Sequence, residues 1–294
     1  MATYKTYDTI GIREDLQDAI YDISPTTTPF MSTVGRTKAK STYHEWQTDS
    51  LADVNLANAQ VEGADATSAV LTPTTRVGNY TQISDKVIQV STTDDVVDKA
   101  GRSTETAYQL SKASAEIKRD MESILLSDQA QDAGGTATAR KLGGLASWIT
   151  TNTVDTAGGA LTEDMLKEAV LKAYNSGGEP DVLLVSPANK QVVSTFAGIA
   201  EQRYQAPKSS PTTIIGTADV YLSDFGSVNV VPDRFLSNDY SYVLDPSMAS
   251  VAYLRPFKSQ KLAKMGDSEK HLLNVEYTLV VNNESAHAMM SDET

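Results

Sequence analysis

The most regular pattern of apolar positions lies in "TETAYQLSKASAEIKRDMESILLS", residues 104–127. Leu110, Ile117 and Ile124 recur every seven residues, and Met121 and Leu125 add neighbours one turn further on. That spacing predicts a helix with one narrow apolar stripe. Lys112, Glu116, Lys118, Arg119, Asp120 and Glu122 are assigned to its polar face. At ~1.5 Å per residue the helix is ~36 Å long, and "DAGG" ends it. A second helix is predicted after Thr162, where Met165/Leu166, Ala169/Val170 and Ala173/Tyr174 step by four before Gly177 and Gly178. The apolar run "DVLLVSP", residues 181–187, predicts a buried strand, and Pro187 opens the next helix in "PANKQVVSTFAGIA". With "ADVYLSDFG" and "SVNVVPDRF" these segments predict a compact α/β module. The tail returns to strands in "YSYVLD", "SVAYLRPF" and "HLLNVEYTLVVNN".

The first third lacks such a core-forming pattern. Ile12, Leu16, Ile20 and Ile23 predict a short amphipathic helix that stops at Ser24, before Pro25. Thr28 is the expected cap of a new turn of helix with Pro29 at its first position, and Gly35 its stop. Residues 24–35, "SPTTTPFMSTVG", therefore predict a hinge and a helical turn that steer the chain. Residues 37–50 predict a long polar strand and residues 76–91 its partner, separated by a stretch of small and polar residues. The expected result is a two-stranded arm with a soft tip. A lone hairpin is marginal in water, so this one needs another surface to lie on.

Composition narrows the function. The 294 residues suffice for one large domain or two ordinary ones. No run approaches the ~18 apolar residues of a membrane span, and no signal-peptide core opens the chain, so no membrane partner is expected. The absence of cysteine excludes disulfides, thiolate metal sites and cysteine nucleophiles. A net charge of −13 argues against gripping nucleic acid, and the richest basic cluster, "GRTKAK", holds three cations. GxSxG, HExxH, Walker-type and GxGxxG motifs are absent. His44, His271 and His287 sit in separate segments, and "TTDD" at 92–95 reads as the acidic first turn of a helix. No catalytic residue, cofactor or metal site is expected.

The order of these segments, together with "ISPTTTPFMSTVGRTKAKSTYHEWQTDSL", "KRDMESILLSDQA" and "YLRPFKSQKLAKMGDSEKHLLNVEYTLVVNNESAHA", resembles the major capsid proteins of tailed bacteriophages, with the Hong Kong 97-like fold. The resemblance implies an α+β chain. Residues 1–36 would be an N-terminal arm and 37–91 an extended hairpin loop lying on a neighbouring subunit. Residues 92–135 and 245–294 would be a peripheral domain with the spine helix, and 136–244 an axial domain. It further implies self-assembly into hexamers and pentamers of an icosahedral or prolate shell around double-stranded DNA. Scaffolding, portal and decoration proteins are the expected partners, with assembly in the host cytoplasm and residence in the virion. Pro25, Pro29, Phe30, Trp46, Leu56 and Val61 are the expected contacts between subunits.

Two other readings compete. One is another self-assembling phage or surface-layer protein such as a tail-tube subunit, though a tube subunit would be smaller, mostly β and without the long helix. An enzyme built on residues 160–244 would need converging polar side chains there. Some relatives of the fold cross-link their shells through a loop lysine. Here no lysine occurs between Ser41 and Asp85, so a shell held without covalent links is predicted.

Overall fold

The stripe on the predicted long helix becomes the spine of the molecule. The computed structural model describes residues 24–63, 65, 71–98, 103–196, 219–264 and 266–291, and the helix expected over 12–23 lies outside them. Along the chain run α1 (Pro29–Thr33), β1 (Gly35–Lys38), β2 (Tyr43–Thr48), β3 (Thr75–Tyr80), β4 (Gln82–Ser91), α2 (Thr92–Val96) and α3 (Glu105–Leu126). Then come α4 (Leu145–Trp148), β5 (Thr153–Asp155), α5 (Glu163–Asn175), β6 (Val182–Val185), α6 (Pro187–Val193), β7 (Val220–Ser223) and β8 (Gly226–Pro232). The chain finishes with β9 (Tyr240–Leu244), β10 (Ala249–Lys261), β11 (Ser268–Val281) and β12 (Ala288–Ser291).

Thr104 caps α3, its hydroxyl accepting from Ala107 N at 3.4 Å. Ile117, Met121 and Leu125 are buried as the stripe requires, and Leu110 and Ile124 pack at its margin. Glu122 departs from its expected place on the polar face, because its side chain is wholly buried. The C-terminal half of α3 is covered from more than one side: β4 and β11 lie along it, and the Tyr242 hydroxyl of β9 donates to Leu126 O at 2.7 Å. That bond satisfies one of the carbonyls a helix end leaves without a partner. Gly144 permits the loop after α3 to close, since a Cβ there would lie 2.2 Å from Ser127 O.

A four-stranded sheet of order β1-β10-β11-β4 carries α3 on one face. The two long arm strands expected over 37–50 and 76–91 are corrected by it, for each is two strands. The inner halves, β1 and β4, form opposite edges of this sheet, with β1 parallel to β10 and β4 antiparallel to β11. Only the outer halves, β2 and β3, pair with each other. The break after β1 falls at Ala39, which is buried and whose N–H donates to Tyr253 O at 3.0 Å. β4 faces α3 with Ser84, Lys86, Ile88 and Val90, and leaves Ile83, Asp85, Val87 and Gln89 exposed. Pro256 sits where β10 has run past its last partner on β1, so its missing N–H costs no ladder bond on that side.

A six-stranded sheet of order β5-β12-β9-β6-β8-β7 makes the second layer, with α5 and α6 packed on it. Thr162 caps α5, and β6 is buried at every position. The C-terminal strand β12 inserts between β5 and β9, so residues 288–291 belong to this sheet and not with the peripheral elements expected to hold 245–294. The two layers are continuous: Leu184, Tyr242 and Leu244 share one core with Ile117, Met121, Tyr277 and Leu279.

Candidate assembly surfaces

The root of the N-terminal segment is held by a side chain far from it in sequence. Pro29 opens α1, and the two N–H groups that follow are those of Phe30 and Met31. Phe30 N donates to Glu122 Oε1 at 2.6 Å and Met31 N to Oε2 at 3.0 Å. The Thr28 hydroxyl makes no cap bond, contrary to expectation, since the Glu122 carboxyl already meets both donors. Phe30 and Met31 are buried and Val34 joins them in the main core. Phe30 is therefore a contact within its own subunit, which corrects its expected place between subunits. Pro25 and Pro29 are half-buried beside it.

Glu122 is buried next to Asp233, the residue that follows β8, also wholly buried. Burial first, and then the charge of Asp233, push the Glu122 pKa up to about 8. Burial likewise raises Asp233, whose Oδ1 accepts from Phe235 N at 2.8 Å.

A second polar cluster grips the base of the hairpin where β3 turns into β4. Asn79 is buried, donating from Nδ2 to Gly143 O at 3.0 Å and Leu279 O at 2.9 Å while Oδ1 accepts from Gly143 N at 2.8 Å. Thr81 Oγ1 donates to Glu276 Oε1 at 2.8 Å, and Arg140 Nε donates to Thr81 O at 2.6 Å. Glu276, itself buried, also accepts from Arg140 and from Arg255 Nε, the latter at 2.7 Å. Two guanidiniums on one buried carboxylate form a charge-assisted clamp with defined geometry. Gly78 lets β2 approach, for a Cβ there would come 2.8 Å from Glu45 Cγ and from His44 O. That glycine is the sequence signal of the tight base, whereas nothing local marks Asn79, Arg140 or Glu276 as partners.

Beyond the base, the hairpin touches little. Trp46 packs on Trp148 of its own chain, ring centroids 5.4 Å apart, and Arg76 pairs with Glu45 across the ladder. The tip has neither helix nor strand among its described residues. Leu51, Leu56 and Val61 there are 99%, 97% and 80% exposed. Of the six expected contact residues, then, Leu56 and Val61 project freely, Pro25, Pro29 and Trp46 are half-buried, and Phe30 is internal. Large apolar side chains concentrated on one loop without cover mark an interaction surface.

A family model described as the SU10 major capsid protein matches residues 2–294. The chain belongs to the SU10 major capsid protein family. The major capsid protein of Escherichia phage Phieco32 is 29% identical to it over 340 residues, covering 98% of this chain and 96% of that one. A solved chain of Mycobacterium phage Adephagia superposes with a TM-score of 0.66 at 13% identity, covering 99% and 98% of the two chains. A chain from the capsid of a native GTA particle gives 0.66 at 9% identity, covering 98% of each. The holo-SrpI encapsulin complex from Synechococcus elongatus PCC 7942 gives 0.61 at 15% identity, covering 100% and 96%. At these identities the superpositions establish the fold, which is the Hong Kong 97-like fold expected from the sequence.

This phage major capsid protein carries a second exposed apolar surface, on the outer edge of the six-stranded sheet. Tyr174 of α5 stacks on Phe225 between β7 and β8, ring centroids 4.7 Å apart. Leu171, Val220 and Leu222 surround a cavity of about 550 Å³ with Phe225, Glu163 and Lys167. Sequence patterning counted Tyr174 in the apolar stripe of α5 and did not name Leu171; both lie at the margin of the buried face and are partly exposed. In the hairpin, Lys38 and Lys40 precede the tip and Lys86 follows it, paired with Glu116 of α3.

Proposed function

We propose that this capsid protein builds its shell as hexamers and pentamers of itself, each hairpin loop lying across a neighbouring subunit. The observation that carries this reading is the contrast within residues 35–91: a base locked by Asn79, Thr81 and Glu276, and a tip whose Leu51, Leu56 and Val61 have no cover of their own. Burying each such side chain fully is worth about 1.5–3 kcal/mol, so several together reward docking on another copy. In this reading residues 1–36 form the arm. The spine helix and four-stranded sheet form the periphery, and the six-stranded sheet forms the axial part around the capsomer centre. The shell encloses double-stranded DNA without reading its sequence, consistent with the −13 net charge. Assembly takes place in the host cytoplasm, with a scaffolding protein, a portal and a decoration protein as partners. The family match removes the support from the tube and surface-layer alternatives.

The test compares the full chain with a variant in which residues 50–73 are replaced by a short turn, each co-expressed with a scaffolding partner and viewed by negative-stain microscopy. Closed shells from the full chain and folded, unassembled subunits from the variant support the reading. Tubes or isolated particles from the full chain, or normal shells from the variant, contradict it.

A further inference from the structure

Three segments distant in sequence meet at one point inside the subunit. Glu122 comes from the spine helix, Phe30 and Met31 from the root of the N-terminal segment, and Asp233 from the loop leaving β8. The Glu122 and Asp233 carboxyl groups are wholly buried, yet among the described residues no N–H or O–H of another residue reaches Asp233 Oδ2. A buried oxygen without a donor is costly, and two adjoining carboxylates without a counter-ion more so. One proton removes both penalties. Held on Glu122, it donates to Asp233 Oδ2, while the Glu122 oxygens still accept from Phe30 N and Met31 N.

The surrounding charges do not substitute for that proton. Arg119, one turn earlier on α3, lies over the Phe235 ring at 5.5 Å with its Nε unpartnered. Tyr253 of β10 faces both Glu122 and Arg36 of β1, and burial raises its own pKa. Neither cation forms an ion pair with Glu122 or Asp233 among the described residues.

We propose that Glu122 and Asp233 form a one-proton lock joining the root of the N-terminal segment, the spine helix and the six-stranded sheet. Taking the proton away sets two buried negative charges against each other. Glu122 stays with the N–H groups of α1, which favour its ionised form, and the Asp233 loop is the piece that loosens. Because Leu236 of that loop belongs to the main core, loosening it weakens the join between the two sheets. The lock is a property of the subunit and does not depend on how the shell is arranged.

The direction of the pH effect follows from linkage. The folded chain keeps a proton on Glu122 up to about pH 8, whereas an unfolded chain releases it near 4.5. Stability from the lock is complete below that window and is lost as pH rises through it.

The experiment uses infrared spectroscopy and thermal melting of the full chain, wild type, Glu122→Gln and Asp233→Asn. At pH 7 ordinary carboxylates are ionised, so the wild type is expected to show a protonated-carboxyl band that fades as pH rises through about 8. That band is expected to be missing from Glu122→Gln, whose amide supplies the donor permanently, and from Asp233→Asn, where the amide donates to an ionised Glu122. The wild-type melting midpoint is expected to fall by several degrees between pH 7 and 9, and both variants to flatten that fall. Absence of the band from the wild type at pH 7, or its persistence in Glu122→Gln, overturns the lock. So does a midpoint that falls as steeply in both variants as in the wild type. If one variant fails to fold, the band and slope of the other decide.

Discussion

Glu276 shows how a single residue fixes the geometry of an arm. Its carboxylate holds Thr81 at the β3–β4 corner and is itself held by Arg140 and Arg255. Glu276→Ala strips the shared partner from both arginines and from Thr81, and because the arginines are partly exposed the cost is about 1–3 kcal/mol. Urea denaturation of the subunit is expected to show a loss of that order, and a loss under ~1 kcal/mol would mean the clamp contributes little. His287 is the buried group expected to cost stability in acid. Its Nδ1 accepts from Asp245 N at 3.2 Å, and among the described residues no partner meets its Nε2 in hydrogen-bond geometry. Burial lowers its pKa below the usual 6.5, although Asp245 and Glu284 pull the other way. A histidine kept neutral by folding contributes stability that is present above pH ~6.5 and lost as pH falls. In a Glu122→Gln background, which removes the opposite slope of the carboxyl pair, the melting midpoint should therefore drop between pH 7 and 5. His287→Leu should flatten that drop, although it orphans Asp245 N–H and lowers stability at pH 7 by ~1–3 kcal/mol. An unchanged acid slope in the variant would show that another group controls it.

At the scale of elements, the periodic segments carried their own addresses. The α3 stripe, the helix start at Thr162 and the continuous apolar run of β6 are local patterns, and each stands where those patterns place it. Ile117→Asp is expected to destabilise the subunit by several kcal/mol, since it puts an unpaired charge into the core, whereas Lys118→Ala on the exposed side should cost under ~0.5 kcal/mol. Equal melting temperatures for the two would place the buried face elsewhere. The split of the arm was not legible, because β1 and β4 find their partners β10 and β11 far later in the chain. A polar strand next to a polar strand looks like a hairpin throughout its length. Glu122 was misplaced for a related reason: it neighbours Met121 on α3, and only the arrival of α1 and the Asp233 loop decides that its position is inside. The same docking means that a truncation through residue 35 removes Phe30, Met31 and Val34 from the core, so it damages the subunit as well as the arm.

For the whole molecule, family membership and fold agree on a shell subunit, and the chain's chemistry constrains how such a shell is held. With no lysine from Ser41 to Asp85, the hairpin tip has no amine to form an isopeptide bond. Mature particles boiled in detergent are expected to release one band near 31.6 kDa, and a ladder of multiples would contradict a noncovalent shell. The central claim is that the tip of the hairpin is completed by another copy of the chain. Electron cryo-microscopy of assembled particles tests it most directly. The account predicts a closed shell in which residues 49–63 are ordered against an adjacent subunit, with Leu51, Leu56 and Val61 buried there. A closed shell in which those side chains remain in solvent, or fold back on their own subunit, would contradict it.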